Sequence, residues 1–410
     1  MNMLILAWRN IWRNRRRTLI TLAAIALSVT LVQAFHNLSY GVYQSMIAGG
    51  VRAGSGHLTI YRKGYVDSRD ERLSWRRGDL AEQAAALPGV EAVLPRVYLP
   101  GMAQSSRESR GILLTGIDPR AERPINPFLK GLDDTRMIRS LSGRDALVGF
   151  RLLKELKLKP GRKFVVTVQN RSGDLASELF RVRGVITTGL KDVDGRLIMV
   201  GLKKAAAMAG IGGEIHELAI ILDQPRRDRD VGPALEKLIH NRRQLVVIPW
   251  DRAMPNLANA IKLDYASQKF IFAIILLIVT IGVVNTQLMS VMERYREFGI
   301  ILAVGATAGR LRLLVLTESL IIGLSAMLLG SALGSLATLY LSRVGIDLRS
   351  FVSESLEFGG VIFDPVLRAA WDFGYMTQIA CYVVILSLLA ALYPARKAGR
   401  IQPAEAMRKI

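Results

Sequence analysis

The sequence predicts an α-helical membrane protein with four transmembrane helices and an extracytoplasmic α+β domain inserted between spans 1 and 2. Three observations lead there. Four uncharged, largely apolar runs, Thr18–Phe35, Phe270–Met292, Ser319–Ser342 and Phe373–Tyr393, approach or exceed the roughly 20 residues that a spanning helix needs. The N-terminus, the Glu293–Arg312 turn and the C-terminus are arginine-rich, whereas the loop from Arg343 to Asp372 has no lysine and carries Asp347, Glu354, Glu357, Asp364 and Asp372. The positive-inside rule then puts the three basic segments in the cytoplasm and the long stretch between the first two runs outside. That stretch, about residues 52–250, alternates strand and helix signals and contains no run long enough to span.

Taken in order, residues 1–17 read as an interfacial helix, with Leu4, Trp8, Ile11 and Trp12 on one face and Arg9, Arg13 and Arg16 on the other. Residues 18–51 form span 1 and a stalk. The run is longer than a signal-peptide core of about 7–15 residues and lacks a cleavage site, so it is read as an uncleaved span. From His36 to Val51 the helical spacing continues through Leu38, Val42, Met46 and Ile47; Met254–Lys269 does the same before span 2, through Leu257, Ile261 and Tyr265. The two stretches are expected to pair as a stalk.

In the inserted domain, strands are expected at His57–Tyr61, Val90–Leu99, Gly111–Gly116, Lys163–Gln169, Leu179–Thr188, Arg196–Val200, Leu218–Leu222 and Leu245–Ile248. Helices are expected at Leu80–Leu87, Phe150–Leu156, Leu202–Ala209 and Val231–His240. Pro95 implies an edge or a bulge in the second strand, and Pro100-Gly101 is expected to close it. Residues 251–292 then form the second stalk and span 2, residues 293–312 a cytoplasmic turn, residues 313–342 span 3, residues 343–372 a periplasmic loop, residues 373–393 span 4 and residues 394–410 a cytoplasmic tail. In span 3, Ala326, Gly330 and Gly334 recur every four residues, a small-residue face that lets helices approach closely.

The formal charge of +21 is compatible with nucleic acid, but the densest arginine clusters adjoin the spans, so membrane lipid is the expected partner and no nucleic acid is. The basic excess within residues 52–250 stays unassigned. One cysteine, Cys381, excludes an intrachain disulfide. There is no G-x-x-x-x-G-K-[ST] loop, no G-x-S-x-G elbow and no second histidine to complete a zinc helix around His216-Glu217, so catalytic and metal sites are expected to be absent.

The turn carries the most information. Val291–Leu320 packs Glu293, Arg294, Arg296 and Glu297 into one helical turn, with Gly299, Gly305 and Gly309 offering places to bend. Its M-E-R-x-R-E-x-G-I-x-x-A-x-G-A string, followed by Arg310, Arg312 and Thr317-Glu318, resembles the loop between the second and third spans of FtsX-like ABC permeases. The tail, Pro394-Ala395-x-x-Ala398 followed by Pro403-x-Glu405-Ala406-x-Arg408, is similar to the same family. Gly116-Ile117-Asp118-Pro119, Ala146-Leu147-Val148-Gly149, Leu158-Lys159-Pro160-Gly161 and Phe180-Arg181-Val182-Arg183-Gly184 resemble, in that order, the domain of lipoprotein-releasing permeases of the LolC/LolE type, with a MacB-like architecture (type VII ABC permease). The Trp8-Arg9-Asn10-Ile11-Trp12-Arg13 opening departs from that pattern, which bears on cargo rather than fold.

The resemblance implies a porter-like lobe built from both ends of the domain with a second lobe between. It also implies a non-catalytic permease subunit in the bacterial inner membrane with its large domain in the periplasm. In the family the turn docks on a separate ABC ATPase. Carried over, Glu293, Arg294, Arg296, Glu297, Gly299, Ala303, Gly305 and Ala306 are the expected coupling residues, with Glu318 matching an acidic residue early in span 3. Two ATPase copies holding ATP and Mg, and a second permease copy or paralogue, are the implied partners; this chain itself holds no cofactor. Phe35, Leu38, Ile261, Phe270 and Phe272 are expected to line an apolar vestibule for acyl chains. Extraction of lipoprotein or lipid is the leading function. The alternatives are MacB-like efflux with a periplasmic adaptor and FtsX-like control of a cell-wall hydrolase.

Overall fold

The computed structural model describes residues 3–188, 191–348 and 366–403 and the short pairs 357–358 and 361–362. It divides into a helical unit, Met1–Gln44 with Leu263–Leu348 and Val366–Ile410, and a mainly β unit, Ser45–Lys262 with Arg349–Pro365. Glu405, Ala406 and Arg408, part of the tail motif, lie outside the described residues, as do Glu354 and Asp364 of the acidic loop.

Among the described residues four helices are long and apolar enough to cross a membrane: Arg15–Ala53, Pro255–Glu293, Ala308–Arg343 and Phe373–Ala398. The first two have 39 residues each, roughly 58 Å at 1.5 Å per residue, against a hydrocarbon core of about 30 Å. Each therefore has turns to spare beyond its span. Within the helical unit their facing side chains meet: Gln268 donates to the Tyr43 hydroxyl at 2.9 Å, and Tyr43 and Tyr265 pack edge to face.

Span 3 packs its small-residue face on span 1. A Cβ placed on Gly330 would stand 2.6 Å from the Val29 Cβ and 2.7 Å from the Ala26 carbonyl oxygen, and one on Gly334 would stand 2.7 Å from Gln33 Oε1. Only glycine allows this approach. The same seam carries hydrogen bonds from Thr30 to the Gly330 carbonyl at 3.1 Å, Gln33 to Ser331 at 3.1 Å and Asn37 to Thr338 at 3.0 Å. Ala326, Gly330 and Gly334 thus face protein rather than lipid. The helix of span 4 runs on past Tyr393 through Pro394 to Ala398, and its last turn closes through Gly399 N–H to the Ala395 carbonyl.

Among the described residues the β unit has nine long strands: β1 Leu58–Arg62, β2 Val90–Gln104, β3 Ser109–Ile117, β4 Asp145–Gly149, β5 Lys163–Gln169, β6 Leu175–Ile186, β7 Leu197–Gly201, β8 Glu217–Leu222 and β9 Leu245–Pro249. They form two lobes that share β2. Its first half, to Arg96, is the edge of an open sheet ordered β2-β8-β1-β9. Its second half, from Val97, pairs with β3 and β5 and closes a six-stranded barrel through β3-β7-β4-β6-β5. Alternate residues fill the barrel: Leu99, Ala103, Ile112, Leu114, Val148, Phe164, Val166, Phe180, Val182 and Ile198 are all buried. The open sheet is made from the two ends of the domain and the barrel from its middle.

Two sequence expectations need correction. β2 runs past Pro100-Gly101 to Gln104 instead of closing there. At Pro100 the strand bonds only to β3, since β5 joins from Gly101, so the missing donor breaks no second ladder. Pro95 lies where β2 pairs with β8 alone, the edge its chemistry calls for. The second correction is β4, a strand that was not expected. Its five residues are almost wholly buried between β6 and β7 and lack the alternation that reveals a half-exposed strand.

Candidate coupling site

The turn between spans 2 and 3 is built around a nine-residue helix, Tyr295–Ala303. Span 2 ends at Glu293, and Arg294 leaves helical geometry, which sets the new direction. The helix ends in a Schellman motif: Gly305 N–H bonds the Leu302 carbonyl at 3.1 Å and Ala306 N–H the Ile301 carbonyl at 3.2 Å, with Gly305 at φ +99°. Thr307 then caps the span 3 helix by accepting from Arg310 N–H. Of the three glycines expected to bend the chain, only Gly305 does so. Gly299 is buried mid-helix and Gly309 lies in the first turn of span 3.

Beneath this helix lies an apolar core of Ala7, Val291, Phe298, Leu311, Leu314, Val315, Ala395, Ala398 and Ile401, with Tyr295 and Leu302 packed against it. The N-terminal helix Met3–Arg13 contributes Ala7 and Ile11 inward, while Leu4, Trp8 and Trp12 point outward. Ile11 therefore leaves the face expected for it, since it lies one turn on from Ala7 and packs with Ile25, Val29 and Ile322. Trp8 and Trp12 meet edge to face at 5.8 Å. Ala395 and Ala398 of the tail motif form the floor of this core, and Pro394 beside them is buried.

The charged residues divide by role. Arg294 is buried, donates to Glu318 Oε1 at 2.8 Å and stacks over the Phe298 ring at 4.6 Å. Asn10 donates to the same Glu318 oxygen at 2.7 Å. Three distant segments thus converge on one carboxylate inside the bundle. Glu297 pairs with Arg13 at 2.7 Å, and Glu293 with Arg17 and, at 3.3 Å, with Asn14. The Arg13 hydrogen bond holds the Glu297 carboxyl below the usual glutamate range and raises Arg13 in turn. Magnitudes rank these contacts: breaking a buried pair from one side costs about 3–5 kcal/mol, whereas a half-exposed pair is worth about 0–1 kcal/mol. The Arg294–Glu318 pair fixes the helix, and the Arg13–Glu297 pair trims its edge.

Arg296, Ala303 and Gly305 are exposed and Ala306 is half-buried. Beside them Ile300, Ile301 and Val304 project outward, Val304 at 84 % exposure. These three apolar side chains were not among the expected coupling residues; the signal for them is an apolar pair, Ile300-Ile301, inside an otherwise charged turn. Of the expected vestibule residues in the helical unit, Phe272 is buried and meets Phe35 edge to face at 6.3 Å, Leu38 is half-buried, and Phe270 points outward at 69 % exposure. Ile261, in the other unit, is buried. Among the described residues no group of His, Cys, Asp or Glu is placed to hold a metal.

A four-helix bundle that inserts a large domain after its first helix and braces a short helix between its second and third has the build of a membrane permease. Residues 18–238 match the family model of the MacB-like periplasmic core domain and residues 269–403 that of the FtsX-like permease C-terminal region. The chain belongs to this family. It is a membrane protein with a periplasmic domain, and a permease subunit of an ABC transporter. It is 26% identical to the lipoprotein-releasing system transmembrane protein LolC of Neisseria meningitidis, over 95% of this chain and 94% of that one. It is also 26% identical to the pyoverdine export ATP-binding/permease protein PvdT of Pseudomonas putida, over 98% of this chain and 58% of that one. The periplasmic region of MacB from Actinobacillus actinomycetemcomitans aligns with 49% of this chain and 92% of its own length, at 16% identity and a TM-score of 0.36.

Proposed function

We propose that this permease releases lipoprotein or lipid from the outer leaflet of the bacterial inner membrane, driven by a separate ATPase. The observation that carries the reading is the end-to-end likeness to LolC, which spans nearly all of both chains. Two ATPase copies, each binding ATP and Mg, dock on the coupling helices of a permease dimer made with a second copy or a paralogue. The geometry supports this division of labour. Arg294–Glu318 ties the helix to span 3, so a push on it moves the bundle rather than bending the turn, while Ile300, Ile301, Val304 and Arg296 are free to meet the ATPase. Burying one such apolar side chain is worth about 1.5–3 kcal/mol.

Purification of the tagged chain from native membranes into nanodiscs, with mass spectrometry of every co-purifying protein and lipid, tests the reading. An ATPase together with acylated lipoprotein supports it, and Ile300→Asp/Val304→Asp should then lose the ATPase while keeping the folded permease. The likeness to PvdT favours export as the second reading, which an ATPase with a periplasmic adaptor would select. A cell-wall hydrolase in place of either would point to regulation. Retention of no ATPase at all would overturn the assignment.

A further inference from the structure

Within the β unit, one fully buried arginine links the end of the stalk helix, β8 and the short helix after β3 through hydrogen bonds. Arg96, Glu122 and Glu217 are each no more than 2 % exposed. The Arg96 guanidinium grips both oxygens of Glu122, through Nε and, at 3.2 Å, through Nη2; its Nη1 donates to Glu217 Oε1 at 3.0 Å and to the Gly54 carbonyl. Tyr61 donates its hydroxyl to the other Glu217 oxygen at 2.6 Å, and Tyr98 to Oε1 at 3.2 Å.

The positions of these partners give the cluster its meaning. Gly54 closes the helix that comes up from span 1 and ends at Ala53. Arg96 itself is the last residue of β2 paired with β8, opposite Glu217, and the next residue, Val97, is the first paired with β3. It therefore stands where β2 leaves the open sheet and enters the barrel. Glu122 comes from the short helix Pro119–Glu122 that follows β3, started by Asp118, whose side chain accepts from Arg120 N–H. Nearby, Arg69 reaches the Ala253 carbonyl at 3.4 Å, at the neck before the span 2 helix. Apolar packing of Val51, Leu94, Ile125, Ala219 and Ile221 docks the stalk end on the open sheet, but packing alone fixes no direction of pull. A forked, charged hydrogen-bond set does, because each of its bonds has a required geometry.

We propose that Arg96 is the joint of this domain, a positioning residue that locks the end of the span 1 helix to the strand and helix leading into the barrel, so that stalk and both lobes turn as one body. A simple stability role is the rival, and the two predict different behaviour. A buried ion cluster replaced as a whole by well-packed apolar side chains of similar volume is often no less stable than the original. Stability can therefore be restored without restoring the fork.

The joint rests on the proposed function, as the place where ATPase-driven movement of the span 1 helix would enter the β unit, yet its test needs neither nucleotide nor ATPase. The full chain, with Cys381→Ser, is spin-labelled at Ala48→Cys on the stalk helix and Leu175→Cys on the barrel, both exposed, and reconstituted in nanodiscs. Pulsed dipolar spectroscopy then reads the distribution of separations. We expect Arg96→Met and Glu122→Gln to broaden it about twofold and to lower Tm, with Arg96→Lys, which lacks the fork, behaving alike. The triple variant Arg96→Met/Glu122→Leu/Glu217→Gln, which keeps an acceptor for the Tyr61 and Tyr98 hydroxyls, should recover Tm yet stay broad. If Arg96→Met alone does not fold, Glu122→Gln and the triple variant carry the comparison. A triple variant as narrow as the parent, or singles that keep the parent width, would overturn the joint. Failure of the ATPase to co-purify would count against the proposed function and leave this result standing.

Discussion

Replacing Glu318 by alanine removes the shared acceptor of Arg294 and Asn10 and leaves the Arg294 guanidinium in the bundle with only the edge of Glu297, at 3.5 Å, for compensation. The cost of orphaning one member of a buried pair is about 3–5 kcal/mol. At about 1.4 kcal/mol per factor of ten, that opens the coupling helix at least about a hundredfold more often. Amide exchange of the permease in nanodiscs reads this directly. The Phe298 N–H, bonded to the Arg294 carbonyl at 3.0 Å, and the Val304 N–H, bonded to the Ile300 carbonyl at 3.0 Å, should exchange faster by that factor. Glu297→Ala, which cuts the half-exposed pair with Arg13, should change the same amides less than tenfold, because such a pair is worth about 0–1 kcal/mol. Arg294→Leu/Glu318→Leu, with no charge left to orphan, should regain most of the protection. Equal effects of Glu318→Ala and Glu297→Ala, or no recovery in the double variant, would refute the claim that the buried pair fixes the helix.

Two further outcomes are expected. His57 and His216 are buried and held neutral, below the usual histidine range by desolvation, and each accepts a backbone N–H at Nδ1, from Leu222 at 3.1 Å and Tyr98 at 3.0 Å. Their lowered pKa gives stability that is complete above the unfolded value of about 6.5 and falls as pH drops toward the folded value, by up to about 1.4 kcal/mol per pH unit for each; the periplasmic domain's urea midpoint at successive pH values should show this, and His216→Gln should flatten it. In the bundle, Gly330→Ala should cost about 1–3 kcal/mol by driving span 3 off Val29, while Gly282→Ala, whose added Cβ meets nothing within 4 Å, should not lower the thermal stability of the reconstituted permease.

What the sequence reveals and what it hides follow from the range of the interactions concerned. The four spans are legible because apolar length is a local property, and so are the helices Phe150–Glu155 and Leu202–Met208, which fall within a residue or so of their expected bounds. The barrel is not legible, because closure depends on β2 serving two sheets in succession, and Arg96, where β2 passes from one to the other, looks in sequence like any charged residue in a strand. The coupling turn shows both sides. Its charge cluster and glycines mark the place, yet one helical turn of Glu293, Arg294, Arg296 and Glu297 gives no sign of which side chain turns inward. That choice is made by Asn10, Arg13, Arg17 and Glu318, three of them hundreds of residues away. With Arg294 and Phe298 committed to the interior, the helix leaves Ile300, Ile301 and Val304 exposed. Charge therefore orients this helix, and the apolar residues it turns outward are those proposed to meet the ATPase. A charge reversal at exposed Arg296 should accordingly weaken the ATPase less than aspartate at Val304 does.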